Sequence, residues 1–229
     1  MRSLSQRSSS GINKEVLSDV KGKCVSDSLT YPKPRGESAL FLKRFFKAPT
    51  QLGTIAPISE RLADVAAACL LAPSKMKVVE IGAGPGRLTR ALLKAGVTPE
   101  NLKAIELDEE LCAFAKATLP QVDVIQGDAQ YLPKLIPASW VRQVDVVFST
   151  IPFAYLDSKT RTAICEAAFS VLRPGGQFLH LTYKWSSPLK EDYTQTRLAG
   201  LFWNIPPGFI WRYEKKEDAA ALTDQKHAA

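Results

Sequence analysis

The stretch Lys77–Thr89 constrains the fold more than any other part of the chain. It begins with Val78–Ile81, a short apolar run rich in β-branched residues, which is typical of a buried parallel strand. Gly82, Gly84 and Gly86 follow in alternate positions, and leucines then recur at helical spacing. Glycine permits a sharp backbone turn and the close approach of a ligand. The stretch therefore predicts a strand, a tight turn and a helix, with a ligand-binding site at the turn.

The spacing of the glycines differs from the dinucleotide-binding fingerprint G-x-G-x-x-G. Gly86 comes one position early, and Arg87 stands where the fingerprint requires glycine. The pattern E-x-G-x-G-x-G, which begins at Glu80, resembles motif I of the class I S-adenosylmethionine-dependent methyltransferases. That resemblance implies that Glu80 lies near the methionine part of the cofactor and that the glycines pack against it. The alternative is a glycine turn in an ordinary α/β protein.

Two further acidic residues follow predicted strands. Glu106 ends the run Lys103–Glu106, roughly 20 residues after the glycines, where nucleotide-binding folds place an acid on the ribose hydroxyls. Asp128 follows the third strand, and the resemblance implies that it contacts the adenine amino group. The expected cofactor is S-adenosyl-L-methionine, and the residues expected to bind it are Glu80, Gly82, Gly84, Gly86, Glu106, Leu107, Asp128, Ala129 and Ser149.

Charge and composition limit the classes of partner that we expect this chain to bind. The 229 residues are 45% hydrophobic with a formal net charge of +7, so we expect one domain with tails and an anionic partner. That partner is a nucleic acid or an acidic membrane surface. The four cysteines are widely spaced, which indicates free thiols in a reducing cytosol. With two histidines in the chain, no metal site is expected, and no apolar run is long enough to predict a membrane span.

The chain divides into four predicted segments: a disordered basic tail at 1–37, an amphipathic helix at 38–48, a methyltransferase domain at 49–214 and a flexible tail at 215–229. At 100° per residue the helix places its large apolar groups opposite its cations. It is interpreted either as an interfacial membrane anchor or as a helix that packs on the domain. The membrane-facing residues of the first interpretation are Phe41, Lys43, Arg44, Phe45, Phe46 and Lys47. The loop at 50–59 is interpreted as a lid over the cofactor.

Predicted strands and helices alternate along the rest of the chain, which indicates a parallel sheet with helices on both faces. Helices are expected over 60–71, 108–119 and 159–172, strands over 144–149 and 177–183, a loop over 131–140, a turn over 173–176, and a closing antiparallel pair over 197–202 and 209–214. The predicted class is α/β: a Rossmann-like methyltransferase fold with a mostly parallel, seven-stranded sheet, an antiparallel last strand and helices on both faces.

The segments after strands four and five are expected to face the substrate, because ligands of open α/β sheets bind at the carboxyl ends of the strands. Ser149–Phe153 follows strand four. Ribosomal-RNA adenine dimethyltransferases carry Asn-x-Pro-Tyr or Asn-x-Pro-Phe there, and their asparagine binds the amino group that is methylated. We assign the asparagine position to Ser149, so the segment resembles those enzymes but lacks the amide.

Two later motifs resemble a different family. Thr182–Pro188 reads Thr-Tyr-x-x-x-Ser-Pro, and Asn204–Trp211 reads Asn-x-Pro-Pro-x-x-x-Trp. Together with Phe41–Lys47 they look like the peripheral bacterial phospholipid N-methyltransferases, over about 39–213. That resemblance implies methylation of phosphatidylethanolamine toward phosphatidylcholine on the cytoplasmic face of the membrane. The alternatives are an RNA adenine N6-methyltransferase and a non-catalytic membrane-binding protein. The candidate catalytic residues are Tyr183, Tyr155, Ser149 and Phe153.

Overall fold

The computed structural model describes residues 36, 58–189, 193–204 and 206–215. The predicted amphipathic helix at 38–48 and most of the predicted lid at 50–59 lie outside these ranges. So do the predicted tails, apart from Gly36 and Lys215.

Seven strands form one sheet in the order β3-β2-β1-β4-β5-β7-β6. Their bounds are β1 Val78–Ile81, β2 Leu102–Glu106, β3 Asp123–Gln126, β4 Val144–Ser149, β5 Leu172–Thr182, β6 Thr194–Leu201 and β7 Gly208–Glu214. The first five strands pair in parallel, whereas β7 lies antiparallel between β5 and β6. The predicted mostly parallel sheet with an antiparallel last strand is confirmed.

In the described ranges five α-helices connect or flank the strands: α1 Glu60–Ala67, α2 Arg87–Lys94, α3 Glu109–Thr118, α4 Leu132–Leu135 and α5 Ser158–Val171. Side chains that precede a helix cap three of them, because their oxygens accept hydrogen bonds from backbone N–H groups of the first turn. Ser59, Asp108 and Asp157 serve α1, α3 and α5 in this way.

Apolar side chains cover both faces of the sheet. One cluster joins Leu62, Leu92 and other residues of α1, α2 and α3 to the sheet, and the second joins α4 and α5 to the opposite face. All four residues of β1 are buried, as expected for a central strand covered on both sides. The helices therefore hold the carboxyl ends of β1, β2 and β4 at one edge of the sheet.

Some predicted boundaries are wrong. Helix α1 ends at Ala67 instead of residue 71, and the predicted loop at 131–140 contains the short helix α4. The predicted turn Arg173–Gly176 lies within β5, whose pairing with β4 begins at Leu172 and then shifts register. The strands approach closely here, because a Cβ on Gly176 would lie 3.0 Å from the Val144 carbonyl oxygen. The residues that were predicted to form a turn therefore belong to an irregular strand.

The connection between β6 and β7 lies at the same edge of the sheet as the end of β5, because β6 runs in the same direction as β5. Two contacts hold it against the start of α1. Ser59 Oγ donates a hydrogen bond to Asn204 Oδ1 at 2.5 Å, and Gly208 packs directly on Leu62. The last hairpin is therefore joined to the first described helix.

The Gly208→Ala variant should unfold more readily. The new Cβ would lie 2.3 Å from Leu62 Cδ2, and Leu62 is fully buried, so overpacking should lower the free energy of unfolding by about 1–3 kcal/mol. Urea denaturation measures this value. Leu62→Ala removes the clashing methyl groups, so the double variant should lose less stability than the sum of the single variants. Strict additivity would contradict the packing described here.

Candidate active site

One pocket opens at the carboxyl ends of β1, β2, β3 and β4. Most of the residues expected to bind the cofactor line it, namely Glu80, Gly82, Gly84, Glu106, Leu107, Asp128 and Ala129. Gly86 and Ser149 do not line it. The strand ends thus bring together side chains from three separate loops of the sequence.

Glu106 links two parts of the pocket wall. Its Oε2 accepts a hydrogen bond from the Gly84 N–H at 2.6 Å, and its Oε1 accepts one from the Asp108 N–H at 2.9 Å. The side chain is buried, and burial raises the pKa of its carboxyl group despite these hydrogen bonds. Glu106 therefore fixes the glycine turn relative to the start of α3, while its oxygens keep further lone pairs for a ligand.

Glu80 is fully buried at the end of β1, and its hydrogen bonding is incomplete. Thr89 Oγ1 donates to Glu80 Oε2 at 2.6 Å, whereas Oε1 has no hydrogen-bond partner among the described residues. Burial raises the pKa of this carboxyl group to about 8. A buried acceptor without a partner is costly, so the pocket fits a ligand that carries a cation or hydrogen-bond donors. The amino group and ribose of S-adenosylmethionine meet that requirement.

The three glycines of the turn serve different purposes. All three have positive φ angles, which favour glycine. A Cβ on Gly82 would lie 2.8 Å from Ile151 Cγ1, and a Cβ on Gly86 would lie 2.6 Å from Leu119 Cδ1. Gly84 has open space at that position, on the pocket side of the turn. Gly84 therefore leaves room for a ligand, whereas Gly86 allows α2 to pack.

Asp128 lies at the part of the pocket that β3 supplies. Its two carboxylate oxygens accept hydrogen bonds from the backbone N–H and the side-chain amide of Gln130, both at 2.9 Å. The side chain is thereby held in one orientation beside Leu107, which also lines the pocket. The contact of Asp128 with the adenine amino group, which the resemblance implies, stays a prediction.

The segment after β4 forms the opposite wall, where Thr150, Ile151 and Pro152 line the pocket. The assignment of the asparagine position to Ser149 requires correction, because counting back two residues from Pro152 gives Thr150. Thr150 Oγ1 donates to the Gly82 carbonyl oxygen at 2.5 Å. Ser149 is buried, and its Oγ accepts a hydrogen bond from the Ile151 N–H. Neither residue presents an amide to the pocket.

Phe153 lies in the core and does not line the pocket. Its ring is fully buried and stacks on the His180 ring, with 4.6 Å between the centroids. His180 Nδ1 lies 3.3 Å from the Ser149 carbonyl oxygen, and burial lowers the pKa of the imidazole to about 3. The imidazole is therefore neutral at physiological pH. Phe153 anchors the loop after β4 to the core.

The two candidate tyrosines lie outside the pocket wall. Tyr155 is 64% exposed and follows Pro152 closely, with Lys184 Nζ 6.0 Å from the centroid of its ring. Tyr183 is half-buried against the core, and burial raises the pKa of its phenol to about 12. Tyr183 is therefore protonated at neutral pH, and Tyr155 is the more accessible of the two.

Several pocket residues were not predicted from the sequence. Arg87 lines the pocket and donates through Nη1 to the Ile58 carbonyl oxygen at 2.7 Å. Thr160 and Ile164, which are one turn apart on α5, line it from the other side. The position of Arg87 directly after the glycine turn was the available signal. Nothing in the local pattern of α5 indicated which of its faces meets the pocket.

Within residues 58–189, 193–204 and 206–215, no three His, Cys, Asp or Glu side chains gather in a way that could hold a metal ion. None of the helices in the described part of the chain combines the length and the apolar character needed to cross a bilayer.

Known proteins resemble this chain in sequence and in fold. A family model described as a methyltransferase domain matches residues 78–176. Ornithine lipid N-methyltransferase from Singulisphaera acidiphila is 26% identical over 146 residues, which cover 62% of this chain and 76% of that protein. Ribosomal RNA small subunit methyltransferase A from Novosphingobium aromaticivorans is 47% identical over 64 residues, which cover 25% of this chain and 22% of that protein.

A solved structure shares the fold. The TehB-like SAM-dependent methyltransferase from Corynebacterium glutamicum superimposes with a TM-score of 0.51 at 16% identity, over 80% of this chain and 100% of that one. At that identity the likeness concerns the fold alone.

The Glu106→Ala variant should bind S-adenosylmethionine more weakly. The substitution removes the acceptor expected for the ribose hydroxyls and releases the Gly84 N–H, so the loss should be about 1.5–3 kcal/mol, roughly 10- to 100-fold in Kd. Isothermal titration calorimetry measures it. Glu109→Ala removes an exposed carboxylate nearby and should leave the affinity unchanged. A folded Glu106→Ala protein with the affinity of the wild type would exclude this cofactor site.

The cofactor-free protein should lose stability as the pH rises from about 5 to 8. In this range the folded state keeps the Glu80 proton, whereas the unfolded state, with a pKa near 4.5, has released it. The stabilising contribution is complete below pH 4.5 and is lost through pH 8, at up to about 1.4 kcal/mol per pH unit. Glu80→Gln should flatten this dependence in chemical denaturation, and Glu109→Gln should not. Parallel pH profiles for Glu80→Gln and the wild type would contradict the raised pKa.

Proposed function

We propose that this chain, which belongs to the class I S-adenosylmethionine-dependent methyltransferases, N-methylates phosphatidylethanolamine and its partly methylated derivatives toward phosphatidylcholine at a membrane surface. The observation that carries the proposal is the similarity to ornithine lipid N-methyltransferase, which extends over 76% of that relative. The name of that relative describes N-methylation of a lipid. The motifs after β5 and β6, which resemble the phospholipid N-methyltransferases, support the same substrate class.

The cofactor would bind along the glycine turn. Glu106 would accept hydrogen bonds from the ribose hydroxyls, Asp128 would accept them from the adenine amino group, and the free oxygen of Glu80 would accept them from the amino group of the methionine part. S-adenosylmethionine supplies a methyl group that its sulfonium already activates. The protein must therefore chiefly orient the substrate amine and exclude water from it.

The side of the pocket formed by the segment after β4 and by α5 suits water exclusion. Ile151, Pro152, Leu156 and Ile164 line that side of the pocket with apolar groups. The amine must lose its proton before it attacks, and Tyr183 keeps its own proton at neutral pH, so it cannot act as an anionic base. Its phenol oxygen can still accept a hydrogen bond from an ammonium group and fix the orientation of the headgroup.

Tyr155 and Lys184 suit the two charges of a phospholipid headgroup. An exposed aromatic face attracts methylated ammonium groups with about 0.5–2 kcal/mol, and the Tyr155 ring is available for this purpose next to the pocket. The nearby ammonium group of Lys184 is a partner for the lipid phosphate. The pair therefore offers one contact to the cation and one to the anion of the same headgroup.

An RNA adenine N6-methyltransferase is the second candidate, because a short segment is 47% identical to ribosomal RNA small subunit methyltransferase A. That match covers 22% of the relative, and Thr150 replaces the asparagine that binds the adenine amino group in those enzymes. The Thr150 hydroxyl already donates to the Gly82 carbonyl oxygen. The lipid substrate therefore has the stronger support.

The two candidates separate in one assay. The full chain with labelled S-adenosylmethionine should transfer methyl groups to vesicles that contain phosphatidylethanolamine and phosphatidylglycerol, and not to small-subunit ribosomal RNA. Thin-layer chromatography of the extracted lipids should show mono-, di- and trimethylated headgroups. Label that appears in RNA adenine, with none in the lipid fraction, would overturn the proposal.

The Tyr155→Ala variant should lower kcat/KM for phosphatidylethanolamine by about 3- to 30-fold, because it removes an aromatic contact worth about 0.5–2 kcal/mol to the cation. Tyr131→Ala is the matched control. It removes a similarly exposed ring, 57% exposed and 5.8 Å from Lys134 Nζ, on the far side of the pocket beside β3. Both variants should keep the cofactor affinity. Equal losses of activity in the two variants would contradict the role of Tyr155.

A further inference from the structure

A group of exposed rings lies on the last hairpin and on the segment after β5. We name it the aromatic rim and define it as the exposed rings Trp185, Phe202 and Trp203 together with the buried Phe209 and the exposed Arg197, which both contact Trp185. Trp185, Phe202 and Trp203 are 61%, 54% and 89% exposed. Large apolar side chains at such exposure are unusual when they lie together, and they mark interaction surfaces.

The rim is ordered by contacts among its own members. The Trp185 ring lies 5.2 Å from the Phe209 ring and 5.8 Å from the Phe202 ring, between centroids. The guanidinium group of Arg197 lies 4.7 Å from the centroid of Trp185 and 5.8 Å from that of Phe209. Within the described residues Arg197 forms no ion pair with a carboxylate. The rim therefore combines preorganised apolar groups with a cation that pairs with no carboxylate of the described residues.

The rim lies at the same edge of the sheet as the candidate active site. Trp185 follows the carboxyl end of β5, and Phe202 and Trp203 follow the carboxyl end of β6, which runs in the same direction. The bond between Ser59 and Asn204 joins the rim to the start of α1, and the adjacent Ile58 lines the pocket. A surface that contacts the rim is thus held next to the pocket.

We infer that the aromatic rim seats the protein on an anionic phospholipid bilayer, with the active-site edge of the sheet turned toward the lipid. The inference rests on the proposed lipid N-methylation, because docking on the bilayer would bring the active site to its lipid substrate. Tryptophan rings are suited to the interface between headgroups and acyl chains, because one molecule provides an apolar body and a polar N–H. Arg197, Lys184 and the net charge of +7 complement anionic headgroups.

The arrangement of the rings favours a bilayer over single-stranded RNA. Bases stack on open aromatic faces. The guanidinium of Arg197 already lies over Trp185, and Phe202 meets Phe209 edge to face at 78°. What the rim presents outward is therefore an irregular apolar surface with a cation, which suits insertion among lipid headgroups.

Vesicle binding tests the inference directly. The full-length variant Phe202→Ala/Trp203→Ala should bind vesicles of phosphatidylglycerol and phosphatidylethanolamine at least tenfold more weakly than the wild type, by flotation without cofactor. Arg197→Gln should weaken binding at low salt and reduce its salt dependence, since surface charges are screened by salt. Neither variant should change the Kd for S-adenosylmethionine.

Matched controls come from the opposite edge of the sheet. Leu71 is exposed and Lys75 is an exposed cation, and both lie in the segment that leads into the amino end of β1. Leu71→Ala and Lys75→Gln should bind vesicles as the wild type does. All variants keep the segment 38–48 unchanged, so a difference in binding reports on the rim itself.

A soluble substrate separates docking from catalysis. Short-chain phosphatidylethanolamine, supplied as monomers below its critical micelle concentration, should be methylated equally by the wild type and by Phe202→Ala/Trp203→Ala, whereas methylation of vesicles should fall with vesicle binding. If the wild type binds vesicles through the rim but methylates no lipid, the proposed function fails and the docking surface stands.

Other outcomes overturn the docking surface. Unchanged vesicle binding by both rim variants would do so while leaving lipid methylation intact. So would a rim-dependent change in oligomeric state by light scattering, or rim-dependent RNA binding, without any effect on vesicle binding. A rim-dependent change in oligomeric state would mean that the rim packs between copies of the chain. Rim-dependent RNA binding would mean that it contacts nucleic acid.

Discussion

The pocket depends on one buried carboxylate that joins two strand ends. Glu106 accepts hydrogen bonds from the Gly84 N–H of the first loop and from the Asp108 N–H of the second. Without it, two backbone donors at the pocket would lose their acceptor, and each such loss costs about 1–3 kcal/mol in a buried setting. The carboxylate that we expect to bind the ribose therefore also organises the pocket wall before any ligand binds. Its raised pKa reflects the same burial.

The cofactor half was predictable because its information is local. The strand, the glycine turn and the helix follow one another in sequence, and Glu80, Gly84 and Glu106 stand at strand ends, where parallel sheets gather their ligand-binding groups. The family resemblance assigned these positions to a cofactor, and seven of the nine predicted residues line one pocket. Gly86 was predicted to contact the ligand, whereas it serves the packing of α2 on Leu119.

The substrate half was less predictable because it depends on tertiary contacts. Phe153 and Ser149 follow β4 in sequence as a substrate-binding pair would, but the chain turns them into the core, where Phe153 stacks on His180 of the neighbouring strand. Ile151 and Pro152 after β4 do line the wall, but its other residues come from α5 and from the segment before α1, and no pattern local to those two segments indicates it. The sequence shows the aromatic residues of the rim, but it does not show that they lie together, because their grouping arises only when β6 and β7 pair.

The bond between Ser59 and Asn204 spans 145 positions of the chain. The contact of Gly208 with Leu62 spans a similar distance. Both contacts bind α1, the first described helix, to the last hairpin, so the packing that α1 makes against α2 is complemented only after that hairpin has formed. During synthesis on a ribosome the cofactor half can therefore assemble with α1 already packed on α2, before the final strands leave the exit tunnel. Ile58 lines the pocket and is held by Arg87 through its carbonyl oxygen, so this part of the wall can form early, and the bond of the adjacent Ser59 to Asn204 fixes it to the hairpin later.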